Sequence, residues 1–159
     1  MELFTILKNN KIFSGLTDEE IKSIVIICSE QKFDGGSIIF EENSKGSGMY
    51  ILVKGQVDIQ MCMGADDELA TVHVIHEGEV FGELSLVDRA PRSATAKAAG
   101  HSLAFVLDAD RFDELCEKNS HIGLIVMRNI AQIVTARLRE TNIKYTESLI
   151  WERLDADPA

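Results

Sequence analysis

Residues 81–98, FGELSLVDRAPRSATAKA, bring together a glycine, a carboxylate and a guanidinium at spacings suited to holding a small sugar phosphate. Gly82 has no Cβ, so the backbone there can come close to a ligand. The N–H groups that follow it, at the start of a short helical turn, can point at phosphate oxygens. Glu83 offers a carboxylate that can accept from a sugar hydroxyl. Arg92 offers a planar fork that matches two phosphate oxygens. Pro91 fixes one torsion just before that arginine and lowers the entropy cost of ordering the loop. The same run also carries Leu84, Ser85, Ser93 and Ala94, further members of the candidate site.

The rest of the composition narrows the chemistry. The chain has 159 residues, 45% hydrophobic and 26% charged, which suits one domain, or one domain with an extra helix. No apolar run approaches the ~20 residues of a membrane span. The N-terminus lacks the basic start and small-residue cleavage site of a signal peptide, so a cytoplasmic location is expected. A net charge of −10 argues against nucleic acid as a partner, because such binding rests on neutralised phosphates. A ligand phosphate must then meet a local positive spot inside a negative field, which calls for a specific, buried arginine. Cys28, Cys62 and Cys116 are far apart, form no zinc-type spacing, and read as reduced thiols. His73 and His76 lie in an apparently extended segment, on opposite faces, so no metal is expected. There is no nucleophile and base at motif spacing and no P-loop, so neither an enzyme nor a cofactor is expected.

The elements that must position these groups follow from pattern. Thr17-Asp18-Glu19-Glu20 is a capping box, after which Ile21, Ile24, Val25 and Cys28 recur on one helical face. From Phe33 the pattern changes to short strands at 37–40, 49–53, 57–61, 69–75, 93–98 and 103–107, separated by glycine-rich turns such as 34–36 and 64–67. Asp108 or Asp110 starts a helix, and Asn119-Ser120 ends it and caps the next. That last element, from about His121 to Leu154, carries Met127, Ile130, Val134, Leu138, Thr141, Tyr145 and Leu149 as one stripe. The stripe is longer than one small barrel needs. It fits either packing on the barrel or, preferred here, a parallel dimer seam. The organisation expected is a helical lead-in over 1–32, a β barrel over 33–108 and C-terminal helices over 109–159.

The run at 81–98 closely resembles the phosphate-binding cassette of cyclic nucleotide-binding domains, F-G-E-[LIA]-[AS]-L followed by R-[AST]-A. The run GGSIIFEENSKGSGMYILVKGQVDI resembles that family's first strands. It departs at Asn43, where the family usually has glycine; Asn tolerates left-handed torsions, so the turn is expected to survive. The resemblance implies a mainly β fold, an eight-stranded jelly-roll barrel with N-terminal helices and a long C-terminal helix. It implies a cyclic nucleotide as ligand, with Arg92 on the exocyclic phosphate oxygens and Glu83 on the ribose 2′-hydroxyl. Gly82, Leu84, Ser93 and Ala94 then supply N–H groups. Alignment with the family's bacterial regulators places Thr141 and Asn142 where two polar helix residues touch the base. With those residues, cAMP is preferred over cGMP. Tyr145 and Trp151 are candidates to stack on the base or pack in the seam.

After the long helix no recognition helix fits, so DNA binding by this chain is not expected. A second nucleotide domain and membrane spans are likewise missing from the sequence. The expectation is a cytoplasmic sensor, either stand-alone, which is preferred, or a fragment of a larger protein, homodimeric through its last helix and signalling to a downstream protein that the sequence does not identify. The alternative is a ligand-free jelly-roll scaffold acting in protein–protein interaction.

Overall fold

The computed structural model describes residues 3–64 and 68–156. The chain starts with α1 (Leu3–Asn9), a 3-10 turn (Lys11–Phe13) and α2 (Asp18–Ile27). The capping box is formed as the sequence predicts: Thr17 Oγ1 accepts from the Glu20 amide, and Glu20 Oε2 accepts from the Thr17 amide at 2.9 Å. Next come β1 (Cys28–Phe33), β2 (Ile38–Phe40), β3 (Gly48–Lys54), β4 (Val57–Cys62), β5 (Leu69–Ile75), β6 (Val80–Phe81), β7 (Thr95–Ala98) and β8 (Ser102–Asp108). The chain then enters α3 (Ala109–Lys118) and α4 (Ser120–Ala156). Asp108 caps α3 by accepting from the amides of Asp110 and Arg111.

Among the described residues the eight strands form two antiparallel sheets, ordered β1-β8-β3-β6 and β2-β7-β4-β5. β3 is buried on both faces, and its alternation divides the core in two. Tyr50 and Leu52 point between the sheets, with Val57, Ile75, Phe81, Ala96 and Val106. Met49 and Ile51 point the other way, onto a layer built by Leu7, Phe13, Ile24, Phe112, Ile122 and Ile130. The helices therefore sit on the outside of the first sheet.

The strand pattern differs from the sequence expectation in two places. Strand structure begins at Cys28 rather than Phe33, so the lead-in is not helical to residue 32. β1 is an edge strand paired only to β8, and Ser29, Glu30, Gln31 and Lys32 face solvent. It therefore carries no apolar alternation to betray it. β6 is two residues long and equally silent. The turn expected at 64–67 falls mostly on 65–67, outside the described residues. Asn43 adopts φ 63°, the left-handed torsion expected of it.

α4 runs 37 residues, about 55 Å. Its first turns are anchored by Ile122, Val126 and Ile130 and by Asn129, whose Nδ2 donates to the carbonyls of Ile12 and Ser14 at 2.9 and 2.8 Å. Beyond Val134 the apolar positions of the helix are no longer buried, and Leu138, Tyr145, Leu149 and Trp151 are exposed. Among the described residues no helix is long and apolar enough to cross a membrane.

Candidate ligand-binding site

The segment after β6 turns sharply at Gly82, which has φ +71°, and enters a 3-10 turn over Glu83–Leu86. A Cβ at Gly82 would lie 2.6 Å from Arg92 Nη1. Glycine is thus required twice, for the left-handed torsion and for the close approach of the guanidinium. The close approach that the sequence leads one to expect from a ligand is made here by Arg92.

Arg92 is 5% exposed. Its Nη1 donates to Ser85 Oγ at 2.7 Å and to the Gly82 carbonyl at 3.1 Å, and its Nη2 donates to the Gly48 carbonyl at 2.9 Å. The guanidinium carbon lies 4.1 Å from the centroid of Phe40. Among the described residues its buried Nε has no partner. Among the described residues no carboxylate forms an ion pair with it. Burial pushes the Arg92 pKa down, opposed by the nearby Tyr50 and Glu83. Every oxygen that Arg92 touches is formally neutral. A buried cation so surrounded is costly unless an anion joins it.

Glu83 is also 5% exposed, and its Oε1 accepts from Arg137 Nη1 on α4 at 2.6 Å. Sequence reasoning missed Arg137. The available signal was its place four residues before Thr141, on the same helical face.

These groups line one cavity of about 960 Å³, at the upper end of small-ligand sites. Gly82, Glu83, Leu84, Ser85, Arg92, Ser93 and Ala94 line it, and so does Thr141 from α4. Asn142 does not; it is exposed, one residue further around the helix. Tyr145 and Trp151 are exposed and outside the lining as well. The wall beyond the cassette is apolar, with Phe40, Ile59, Val72, Ile75 and Phe81. His73 lines it too, beside Val72: a bulge in β5 opposite Ile59 and Gln60 breaks the alternation and turns both toward the cavity. The site can therefore take an anion at Arg92, a hydroxyl at Glu83 and a flat apolar body against the sheet. Among the described residues no group of three or more His, Cys, Asp or Glu could hold a metal ion.

The family model described as cyclic nucleotide-binding domain matches residues 30–119. The cyclic AMP receptor protein of Thermus thermophilus is 27% identical over 139 residues, which is 87% of this chain and 62% of that protein. The cAMP-dependent protein kinase regulatory subunit of Dictyostelium discoideum is 34% identical over 92 residues, 58% of this chain and 28% of that one. The regulatory domain of Toxoplasma gondii PKA, solved with cAMP, superposes with a TM-score of 0.67 at 26% identity, over 71% of this chain and 42% of that chain. The chain thus spans less than two thirds of the length of each of these relatives.

Proposed function

The chain belongs to the cyclic nucleotide-binding domain family, and on that premise we propose that it is a cyclic nucleotide sensor, taking cAMP in preference to cGMP and acting by conformation rather than by catalysis. The observation that carries this reading is Arg92: a buried guanidinium held by neutral oxygens, with Nε unpartnered. A cyclic phosphodiester brings one negative charge and two exocyclic oxygens, the complement such a fork lacks. The amides of Gly82, Leu84, Ser93 and Ala94 and the Ser93 hydroxyl serve the same phosphate.

Glu83 accepts from the ribose 2′-hydroxyl. Because Glu83 already binds Arg137, a ribose arriving there alters a contact that reaches α4 directly. The purine lies against Ile59, Val72 and Ile75, with Thr141 above it as a hydroxyl partner, and Asn142 is the second polar residue of that helix segment. Movement of α4 is the output. Its exposed Leu138, Tyr145 and Leu149 suit a second copy of the chain packed in parallel, which gives a homodimer.

Equilibrium dialysis against cAMP and cGMP, separately and in competition, tests the reading. Micromolar or tighter binding with cAMP displacing cGMP is the expected result. Preference for cGMP would overturn the choice of base, and binding of neither would leave the barrel as a scaffold for protein contacts.

A further inference from the structure

The cassette carries a second arginine that the ligand site does not use. Arg89 sits between the cavity-lining residues Asp88 and Ala90 but is not itself part of the lining. Its backbone has φ 56°, a left-handed torsion that is costly for a residue other than glycine, asparagine or aspartate. Asp88 helps to hold the turn, because its Oδ1 accepts from the Ala90 amide at 2.9 Å. The turn aims the Arg89 side chain outward, away from the cavity and onto α3.

There it meets two carboxylates at once. Nη1 lies 3.2 Å from Asp110 Oδ1, and Nη2 donates to Asp113 Oδ2. Asp110 and Asp113 are three apart and share one face of α3. Only a forked cation can span both; a lysine would serve one. Asp110 lies in the first turn of α3, where negative charge is favoured, and Asp113 lies one turn further on, with Arg89 as its counter-charge. Leu86, from the same cassette, is buried in one cluster with Phe112 of α3 and Ile130 of α4. The cassette thus grips α3 on two sides of one turn, by an apolar contact and by an ionic one. At its other end α3 passes through Asn119 directly into α4.

We propose that Arg89 is a positioning residue that makes the cassette and the first turn of α3 a single moving unit, so that a ligand drawing in Arg92 also draws α3 and the root of α4. This rests on the reading of the cassette as a nucleotide site for its ligand-driven part. The clasp itself is formed by side chains of this chain alone.

Amide hydrogen exchange on the full chain tests it, with and without saturating cAMP, on wild type, Arg89→Ala, Arg89→Asp and the charge swap Arg89→Asp/Asp113→Arg. In the free protein, Arg89→Ala is expected to speed exchange in 84–90 and 109–113 together, by about three- to fivefold, the upper range for a partly exposed ion pair. Arg89→Asp should act more strongly, and the swap should recover most of the loss. A merely structural role for the side chain would not be restored by the swap. With cAMP, wild type is expected to gain protection in both segments. Arg89→Ala should gain it in the cassette while losing most of it in α3, with cAMP affinity changed less than about threefold.

Unchanged exchange of 109–113 in free Arg89→Ala, or equal cAMP-induced protection of α3 in that variant, overturns the proposal. If wild type binds neither cAMP nor cGMP, the functional reading fails, and the ligand-free arm still decides whether Arg89 couples the two segments.

Discussion

Glu20 and Arg92 are both buried ionic groups, and they are furnished in opposite ways. Glu20 is 9% exposed and is surrounded by donors. The Thr17 amide and hydroxyl reach its Oε2 at 2.9 and 3.1 Å. Asn119 Nδ2 and His121 Nδ1 lie 3.2 and 2.7 Å from its Oε1. The Thr17 backbone bond leads in holding the Glu20 carboxyl down at about 2, helped by His121 and Asn119 and opposed by burial. Arg92, at 5%, has only neutral oxygens and one orphaned nitrogen. The first is a closed structural joint tying α2 to the start of α4. The second is an open one, stable in the fold yet short of a counter-charge. A buried charge with a complete shell reports architecture, and one with an incomplete shell reports a ligand.

Substitutions should separate the two joints. The largest expected effect is Arg92→Ala on ligand affinity, a loss on the order of 3 kcal/mol or more, because the phosphate would be desolvated without its partner. The free protein should unfold at a similar or higher denaturant midpoint, since an uncompensated buried cation is removed with the side chain.

Gly82→Ala comes next. It places a methyl against Arg92 Nη1 and forces a left-handed torsion on alanine, so about 1–2 kcal/mol of stability is lost with a larger fall in nucleotide affinity. Urea titration and dialysis read the two together; equal losses in both would contradict a local effect on the arginine.

Glu20→Gln reverses the pattern. It should cost about 1.5–3 kcal/mol of stability, since charge-assisted bonds are weakened, and leave cAMP affinity nearly unchanged. Its pH dependence has a definite sign. The folded carboxyl at about 2 lies below the ordinary 4.5, so its stabilisation is fully present above pH 4.5 and is lost as pH falls from there towards 2. Glu20→Gln should flatten the acid limb of the stability profile over that window; an unchanged limb would show that the joint is not what titrates.

The open joint was more legible in the sequence than the closed one. Gly82, Glu83 and Arg92 fall within one short run, and their residue types carry the chemistry directly. Half of the Glu20 shell was legible too, because Thr17 is three residues away and forms a local motif. Asn119 and His121 were not, being 99 and 101 residues distant with no period linking them to Glu20. The same holds for Arg137, which meets Glu83 across 54 residues, and for the Gly48 carbonyl, which meets Arg92 across 44. Among the strands, β3 announced itself because both its faces are buried, while β1, polar and at an edge, did not. Asn142 sits beside Thr141 in sequence but a hundred degrees around the helix, outside the cavity that Thr141 lines.

Arg92 as an anion receptor completed by a cyclic phosphodiester is what joins the fold to the proposed function. Calorimetric titration of nucleotide-stripped protein with cAMP, run beside Arg92→Ala, tests it most directly. The wild type is expected to bind at micromolar or tighter, and the variant to lose at least a hundredfold, about 3 kcal/mol. Near-equal affinity in the two proteins would contradict it, and so would the absence of heat in the wild type.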